Sequence, residues 1–237
     1  MGYTLVIPAN LNSKRLKKKL LTKIGTKSII QRVLSKTQKF KIFNNIYVLS
    51  DSELIKNELK EYKFIFLKNK KKHLNATSRL FEFLKIIKGD NIILLFADEL
   101  FIKKKNLMHF IQKIEKNEKD YLFQAVTKFE NTKELMDVSN VKCLLNDRDH
   151  IIDFQRKINL KNKNVKFKKS IGIFFFKRKK FLKKKIITHP NYNKLSVEQL
   201  NLIHSGFVLK SIELNYKFPS INTSKDLKFA KKYYKIK

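Results

Sequence analysis

Tyr3–Ala9, near the start of the chain, reads YTLVIPA and is its most informative segment. A short apolar run with β-branched residues and a proline at its exit predicts a buried strand. The run leads directly into a basic segment, Asn10–Lys19, which reads NLNSKRLKKK. Since open α/β sheets bind their ligands at the carboxyl ends of their strands, these cations predict a polyphosphate site. The alternative is a solvated basic loop in a chain that is basic throughout.

The composition limits the class of protein. The chain has 237 residues, of which 43% are hydrophobic, so it can bury a substantial core as one large domain. Its single cysteine, Cys143, excludes an intramolecular disulfide and fits a reducing compartment. No apolar run approaches the roughly 18 residues of a membrane span, and no secretory signal is visible. We therefore expect a cytoplasmic protein with no membrane partner.

The net charge of +34 suggests nucleic-acid binding, because clustered cations release counterions from phosphates. However, only six of the 54 basic residues are arginine, the residue that base-edge and bidentate phosphate recognition favour. The excess is spread along the whole chain, and the abundance of Lys, Asn, Ile and Phe is typical of an AT-rich genome. We hypothesise that codon usage explains most of the charge, and we expect no specific nucleic-acid partner.

Strand-like and helix-like segments alternate in the first half of the chain, which predicts a doubly wound, mostly parallel α/β sheet. The predicted strands are Tyr3–Ala9, Asn45–Ser50, Phe64–Leu67, Ile92–Ala97 and Tyr121–Val126. The predicted helices are Ser28–Lys39, Ser52–Tyr62, Thr77–Ile87 and Lys104–Asn117. Ser28 is the expected N-cap of the first helix, and Thr77 or Ser78 that of the third.

The pattern changes after about residue 138. Polar turns separate three further strands, and two helical signals follow, which predicts one domain over 1–237 with a β-rich subregion at about 138–190. The strands are Val141–Leu145, Ile151–Phe154 and Lys168–Phe176, and the helices are Val197–His204 and Ser224–Tyr234, the latter capped by Ser224.

Three other segments could carry chemistry. Asp98 and Glu99 directly follow the most apolar predicted strand. A carboxylate at that position can hold Mg²⁺ together with phosphate oxygens. The alternative is that these acids cap a turn or a helix. Arg79 is predicted in the first turn of a helix, where a cation opposes the helix dipole, and this weakly favours a binding role. The segment 220–227 opens the last helix. Its residue spacing by itself indicates a helix cap and no further role.

Several common sites are excluded. The five histidines lack the spacing of metal ligands, and one cysteine gives no zinc site. No Walker A, GxGxxG or GxSxG motif is present, and five glycines leave little for a glycine-rich phosphate loop.

Short segments over nearly the whole chain, in the same order, resemble the motifs of the 3-deoxy-manno-octulosonate (Kdo) cytidylyltransferases. The opening is similar to the family's VIPARxxSxRLPGKxL, and the last segment is similar to its VDTPEDL. The matching segments are Val6–Ala9, Ser13–Leu16 with Lys19, Ser50-Asp51, His73–Leu80, Ala97–Glu99, Phe154–Arg156, Ile171–Ile173, Phe181-Leu182, Glu198–Leu200 with Gly206, and Ile221–Leu227.

The resemblance implies a Rossmann-like nucleotidyltransferase that uses Mg²⁺ to join CTP to an acidic sugar and that dimerises through its β-rich subregion, where Lys168–Phe176 offers an apolar strand. It implies catalytic roles for Arg15, Lys19 and Asp98, and metal binding by Asp98 and Asn222. It implies nucleotide binding by Pro8, Ala9, Asn10, Ser13, Lys14, Arg15, Lys19, Thr77, Arg79 and Phe96. It implies sugar binding by Arg79, Glu99, Arg156, Glu198 and Gln199.

The chain departs from the family pattern at important positions. Asn10 replaces an Arg, Phe96 replaces a Gln, and Asn222 replaces the second metal-binding Asp. An amide keeps an oxygen ligand but removes a full charge, which weakens Mg²⁺ binding by ~1–3 kcal/mol. Three hypotheses therefore stay open: an active Kdo cytidylyltransferase, a divergent member with another acidic sugar or with lost catalysis that binds nucleotide or sugar, and a nucleic-acid-binding protein.

Overall fold

The computed structural model describes residues 2–11, 13, 15–71, 73, 75–158, 166–190 and 197–235 of the chain. The chain divides into two compact units. The first unit is Met1–Lys104 with Phe218–Lys237, and the second unit is Lys105–Lys217. The prediction of one domain with a β-rich subregion at about 138–190 stays a prediction.

The elements of the first half of the chain alternate as expected from the sequence. The strands of the described residues are β1 (Tyr3–Pro8), β2 (Lys23–Ile24), β3 (Lys27–Ser28), β4 (Phe43–Ser50), β5 (Ile65–Lys68), β6 (Asn91–Leu95), β7 (Leu122–Thr127), β8 (Lys142–Leu145), β9 (His150–Gln155), β10 (Lys166–Lys177) and β11 (Leu209–Glu213). The helices in the same part of the chain are α1 (Ile29–Phe40), α2 (Glu53–Glu58), α3 (Ala76–Phe81), α4 (Lys104–Glu115), α5 (Thr132–Met136), α6 (Gln199–His204) and α7 (Ser224–Lys235).

The first unit contains a parallel sheet in the order β5-β4-β1-β6. Strand β1 is buried along its whole length, and Leu5, Val6 and Ile7 have no exposed surface. That burial on both faces is what its continuous apolar sequence predicts. Because all four strands run in the same direction, their carboxyl ends meet at one edge of the sheet. The predicted α/β class is confirmed.

Helix α1 begins as its sequence predicts. The Ser28 Oγ accepts a hydrogen bond from the backbone N–H of Gln31 at 3.4 Å, and the Gln31 Oε1 accepts one from the backbone N–H of Ser28 at 2.9 Å. This reciprocal capping box satisfies two of the N–H groups that a helix start leaves unpaired. The apolar face of the helix is fully buried at Ile29, Ile30, Val33 and Leu34.

Two predicted helices are shorter than expected. The segment predicted as Ser52–Tyr62 is helical only at Glu53–Glu58, and the segment predicted as Thr77–Ile87 is helical only at Ala76–Phe81. Turns with i→i+3 hydrogen bonds continue both segments and still bury Leu84 and Ile87, so the apolar spacing does not distinguish turns from helix here. The cap of α3 is also corrected: Asn75, rather than Thr77 or Ser78, accepts from the Ser78 N–H at 2.8 Å.

The second unit contains a mixed sheet. Strand β7 pairs in parallel with β11 and antiparallel with β10. Strands β8 and β9 form an antiparallel pair, which joins β10 through β8 and β11 through β9. The strands predicted after residue 138 are confirmed, whereas β11 and the short helix α5 were not predicted. Helix α6 ends at His204, and Gly206, two residues later, has a φ of 79°, the left-handed conformation that closes many helices.

The apolar strand Lys168–Phe176 was expected to suit a dimer interface. In the structure its apolar side chains are already buried within the chain, so they are not available as an exposed surface. These side chains are Ile171, Ile173, Phe174, Phe175 and Phe176. Among the helices described here, none is both long and apolar enough to cross a membrane.

Candidate active site

The loop after β1 presents Lys19 at the carboxyl edge of the first unit's sheet. Strand β1 ends at Pro8, and the backbone N–H of Ala9 still donates to the Leu49 carbonyl at 2.8 Å. Lys19 opens a 3-10 turn, Lys19–Leu21, directly after Lys18, whose φ is 48°. That left-handed conformation favours glycine, the residue that the resembling family has at this position.

Lys19 forms an ion pair with the carboxylate that follows β6. The Lys19 Nζ lies 2.6 Å from Asp98 Oδ2, and the two side chains are 12% and 16% exposed. Asp98 is also fixed through its backbone, because its carbonyl accepts from the Ile221 N–H at 3.1 Å. The structure therefore brings together two residues that are far apart in the chain and that were both predicted to be catalytic.

Asn222 joins the same cluster. Its Oδ1 accepts from Arg15 Nη2 at 3.1 Å and lies 3.4 Å from Lys19 Nζ. The turn that carries Asn222 is held by Asp226, whose Oδ2 accepts from the backbone N–H groups of Asn222 and Thr223 at 2.9 and 2.7 Å. Since Thr223 Oγ1 accepts from the Asp226 N–H at 3.3 Å, Thr223 rather than Ser224 caps the last helix.

These four side chains form what we call the triphosphate cluster: Arg15, Lys19, Asp98 and Asn222. Two cations can neutralise phosphate oxygens, while a carboxylate oxygen and an amide oxygen are ligands that a hard cation such as Mg²⁺ accepts. Nowhere in the part of the chain that the structure describes do three or more His, Cys, Asp or Glu side chains group as a metal site. A metal ion at this cluster would therefore need further oxygen ligands, such as those of a nucleotide.

A second constellation surrounds Arg79 in α3. The Arg79 side chain is 1% exposed, and its Nη1 donates to Asn69 Oδ1 at 2.8 Å and lies 3.5 Å from Asp51 Oδ1. Its Nη2 is buried and has no hydrogen-bond partner among the described residues. An unsatisfied buried donor costs about 1–3 kcal/mol, so an acceptor brought within reach of this atom would stabilise it.

Glu82 organises the loop between β5 and α3. Burial alone would raise the pKa of Glu82, but hydrogen bonds from the Lys70 backbone N–H, His73 and Asn69 outweigh it and lower the pKa to about 2. The Lys70 N–H and Asn69 Nδ2 donate at 2.9 and 3.0 Å, and His73 Nε2 also contacts the carboxylate. Asn69 thus links Glu82 to Arg79.

Replacing Glu82 with glutamine is expected to lower the free energy of unfolding by about 1–3 kcal/mol at neutral pH, the range for lost hydrogen bonds to a charged group. Because the folded pKa of about 2 lies below the ordinary value of 4.5, the carboxylate's contribution is complete above pH 4.5 and disappears as the pH falls toward 2. Urea unfolding between pH 2.5 and 7 measures the difference between variant and wild type. Exposed Glu61, changed to Gln, is the control, and a difference independent of pH would contradict the assignment.

The remaining nucleotide residues predicted in the first unit have varied environments. Pro8 and Ala9 are buried at the end of β1, while Asn10, Ser13, Thr77 and Phe96 are partly exposed. Glu99, predicted to bind the sugar, is 1% exposed and accepts from Ser220 Oγ at 2.6 Å, which anchors the segment before α7. Lys14 lies outside the described residues.

Three predicted sugar-binding residues belong to the second unit. Arg156 directly follows β9, and its Nη1 donates to the Val138 and Ser139 carbonyls at 3.2 and 3.3 Å. Glu198 and Gln199 are adjacent at the start of α6, and each is 6% exposed. Their roles toward a sugar stay predictions.

Sequence reasoning missed Asn69 and Glu82, and it quoted Asp51 only as part of a motif. Asn69 directly follows β5, and Asp51 directly follows β4. Ligands of open α/β sheets bind at the carboxyl ends of the strands. Examining the residues after every predicted strand, rather than only after β1 and β6, would have found Asn69 and Asp51. No sequence signal marks Glu82, because its partners come together only through the fold.

A parallel α/β sheet with two cations, a carboxylate and an amide oxygen at its carboxyl edge is consistent with a nucleotidyltransferase. A family model agrees: the chain belongs to the cytidylyltransferase family, whose model matches residues 4–213. The class of enzyme predicted from the motifs is confirmed.

Relatives of nearly equal length carry one name, 3-deoxy-manno-octulosonate cytidylyltransferase. The protein of Fusobacterium nucleatum is 28% identical over 240 residues, which cover 99% of this chain and 98% of that protein. The protein of Flavobacterium johnsoniae is 25% identical over 239 residues, which cover 98% of this chain and 98% of that protein. The protein of Rickettsia felis is 28% identical over 238 residues, 97% of this chain and 94% of its own. The resemblance drawn from the motifs is confirmed.

Solved structures show the same fold. CMP:2-keto-3-deoxy-manno-octonic acid synthetase complexed with CTP matches with a TM-score of 0.87 at 22% identity, over 100% of this chain and 99% of its own. The inositol-1-phosphate CTP transferase of T. maritima matches with a TM-score of 0.68 at 18% identity, over 98% of this chain and 95% of that protein. The predicted nucleotidyltransferase fold is confirmed.

Proposed function

We propose that this protein transfers CMP from CTP to 3-deoxy-manno-octulosonate, giving CMP-Kdo and pyrophosphate for lipopolysaccharide synthesis. Relatives that carry the corresponding name match it over nearly their whole length. The observation that carries the proposal is the triphosphate cluster, in which Lys19 Nζ lies within hydrogen-bonding distance of both Asp98 Oδ2 and Asn222 Oδ1.

In this reaction the anomeric hydroxyl of the sugar attacks the α-phosphorus of CTP. A new phosphorus–oxygen bond forms, the hydroxyl gives up its proton, and the bond to pyrophosphate breaks. Such a transfer depends on in-line placement and on neutralisation of charge more than on covalent help. Arg15 and Lys19 would hold the triphosphate and stabilise the charge that develops on it.

Asp98 and Asn222 would hold the Mg²⁺ that the family pattern implies. Their oxygens converge on the same nitrogen atom of Lys19, so the donor set fits one hard cation. When bound, the ion would supply Lewis-acid polarisation of phosphate oxygens. Because Asn222 is neutral, the nucleotide must contribute more of the charge that attracts the metal than it would beside two carboxylates.

In the first unit we assign contacts with the acidic sugar to Arg79 and Glu99. In the second unit, taken by itself, we assign them to Arg156, Glu198 and Gln199. Arg79 has the most direct support, since its Nη2 is buried without a partner in the described part of the chain and an acidic sugar offers carboxylate oxygens. The proposal also includes a homodimer and a cytoplasmic location. The single cysteine, Cys143, is buried and free, which suits a reducing compartment.

Pyrophosphate release with CTP, Kdo and Mg²⁺ tests the proposal. We expect release to require all three components, and UTP or ATP to replace CTP poorly. Release with another acidic sugar but not with Kdo would identify a divergent member of the family. No release with any pair of nucleotide and acidic sugar would contradict the catalytic proposal and would leave a protein that only binds nucleotide or sugar.

Changing Asn222 to aspartate is expected to lower the Mg²⁺ concentration needed for half-maximal activity by about tenfold, because a carboxylate binds a hard cation with a full charge. A magnesium titration of pyrophosphate release at saturating CTP measures it. Exposed Asn215, changed to Asp, adds the same charge elsewhere and is the control. An unchanged magnesium dependence would show that position 222 does not face the metal.

A further inference from the structure

Lys142 in β8 is a fully buried lysine that the proposed reaction does not use. Its side chain has no exposed surface. Its Nζ donates to the carbonyls of Asp137 at 2.6 Å, Asn140 at 3.0 Å and Arg156 at 2.7 Å, so all three ammonium N–H bonds have an acceptor. Burial lowers the pKa of Lys142, and nearby Asp137 partly opposes that shift. A buried ammonium is tolerated only with such complete hydrogen bonding.

The turn that Lys142 binds is also bound by the side chain of Arg156. Arg156 Nη1 donates to the carbonyls of Val138 and Ser139, which lie between the two turn carbonyls that Lys142 binds. Two cations therefore take all the carbonyls of the four-residue turn 137–140. We call this arrangement the carbonyl clamp: Lys142, the turn 137–140 and Arg156.

The clamp couples Lys142 to Arg156 in two ways. Lys142 binds the backbone carbonyl of Arg156, which sets the point where the chain leaves β9. It also holds the turn against which the Arg156 guanidinium rests. Without Lys142, the carbonyls of Asp137, Asn140 and Arg156 would lose a charged donor, and both supports of the guanidinium would loosen.

We infer that Lys142 is a positioning residue for acidic-sugar binding, acting through the carbonyl clamp on Arg156. The inference rests on the proposed function, in which Arg156 contacts the sugar. Lys142 itself touches neither substrate. Its contribution is to restrict the guanidinium to one orientation before the sugar arrives, which lowers the ordering cost of binding.

Lys169 offers a matched control. It is the register partner of Lys142 across the β8–β10 pair and is 6% exposed. Its Nζ is paired with Glu134 Oε1 of α5 at 2.5 Å and makes no contact with Arg156 among the hydrogen bonds described. Both lysines are thus buried cations of the same sheet, but only Lys142 belongs to the clamp.

The test compares Lys142→Met with Lys169→Met in steady-state kinetics. Both variants are expected to lower the melting temperature. Only Lys142→Met is expected to raise the KM for the acidic sugar, by about tenfold, while its KM for CTP stays within about twofold of wild type. Lys142→Gln, which keeps two donors on a shorter side chain, should give an intermediate KM for the sugar.

An unchanged KM for the sugar in Lys142→Met, or an equal rise in Lys169→Met, would overturn the inference. If Lys142→Met does not fold, the same comparison with Lys142→Gln decides it. Amide hydrogen exchange gives a second readout without substrate: exchange across residues 137–141 should accelerate in the Lys142 variant and not in the Lys169 variant. A wild type that uses no acidic sugar would refute the proposed function, whereas unchanged exchange would refute the clamp.

Discussion

Replacing Lys19 with alanine is expected to lower kcat for pyrophosphate release by about a thousandfold, the range for removing a preorganised charge that stabilises a transition state. Lys19 is the centre of the triphosphate cluster, because its Nζ contacts both Asp98 and Asn222. Phosphoryl transfer depends on cations placed where charge develops on the transferred group. Steady-state rates with saturating CTP and sugar measure the loss.

Lys17→Ala is the control for this variant. Lys17 lies two residues away in the same loop and is exposed, and it has the same charge. If Lys19 acts by its position, Lys17→Ala should change kcat by less than about threefold, as expected for a solvated charge. Similar losses in the two variants would mean that general positive charge, and not this cluster, attracts the nucleotide.

Replacing Asp98 with asparagine is expected to reduce turnover by about a hundredfold or more while leaving CTP binding nearly intact. The change keeps the shape and one oxygen but removes the only carboxylate of the triphosphate cluster. Loss of that charge weakens Mg²⁺ binding, which disfavours CTP binding. It also removes a negative group beside the triphosphate, which favours CTP binding. These two changes have opposite effects on CTP binding and largely cancel there. The weakening of Mg²⁺ binding has no such compensation and therefore lowers turnover.

Isothermal titration with CTP and rate measurements over a range of Mg²⁺ concentrations separate these effects. Asp147→Asn removes a charge from an exposed residue and should change neither quantity. Near-normal turnover in Asp98→Asn would contradict the metal-binding role. A loss of CTP binding as large as the loss of turnover would instead make Asp98 a nucleotide-binding or structural residue.

Much of the first unit could be predicted from the sequence. The apolar run of β1 and the capping signal at Ser28 are local features, and the structure confirms both. The meeting of Lys19 and Asp98 was predictable for a different reason: parallel strands place their carboxyl ends at one edge, so two segments that follow two such strands must converge. That rule needs no knowledge of side-chain packing.

The sequence was less informative where long-range contacts decide the structure. The hydrogen bonds that link Glu82, Asn69 and Arg79 join a loop to the helix after it, and no residue pattern specifies them. Lys142 looks like one more lysine in a chain with 54 basic residues, yet the fold buries it completely. Helix α3 is shorter than its apolar spacing predicts, since turns bury Leu84 and Ile87 as a longer helix would and the spacing is the same for both.

A crystal structure of the protein with CTP and Mg²⁺ would show directly whether the triphosphate cluster binds nucleotide and metal. We expect the triphosphate to contact Lys19 and Arg15, and a metal ion to lie on Asp98 with Asn222 beside it. Lys19 would then turn from the carboxylate to a phosphate oxygen. CTP bound elsewhere, while the ion pair between Lys19 and Asp98 stays intact, would show that this cluster is not the nucleotide site.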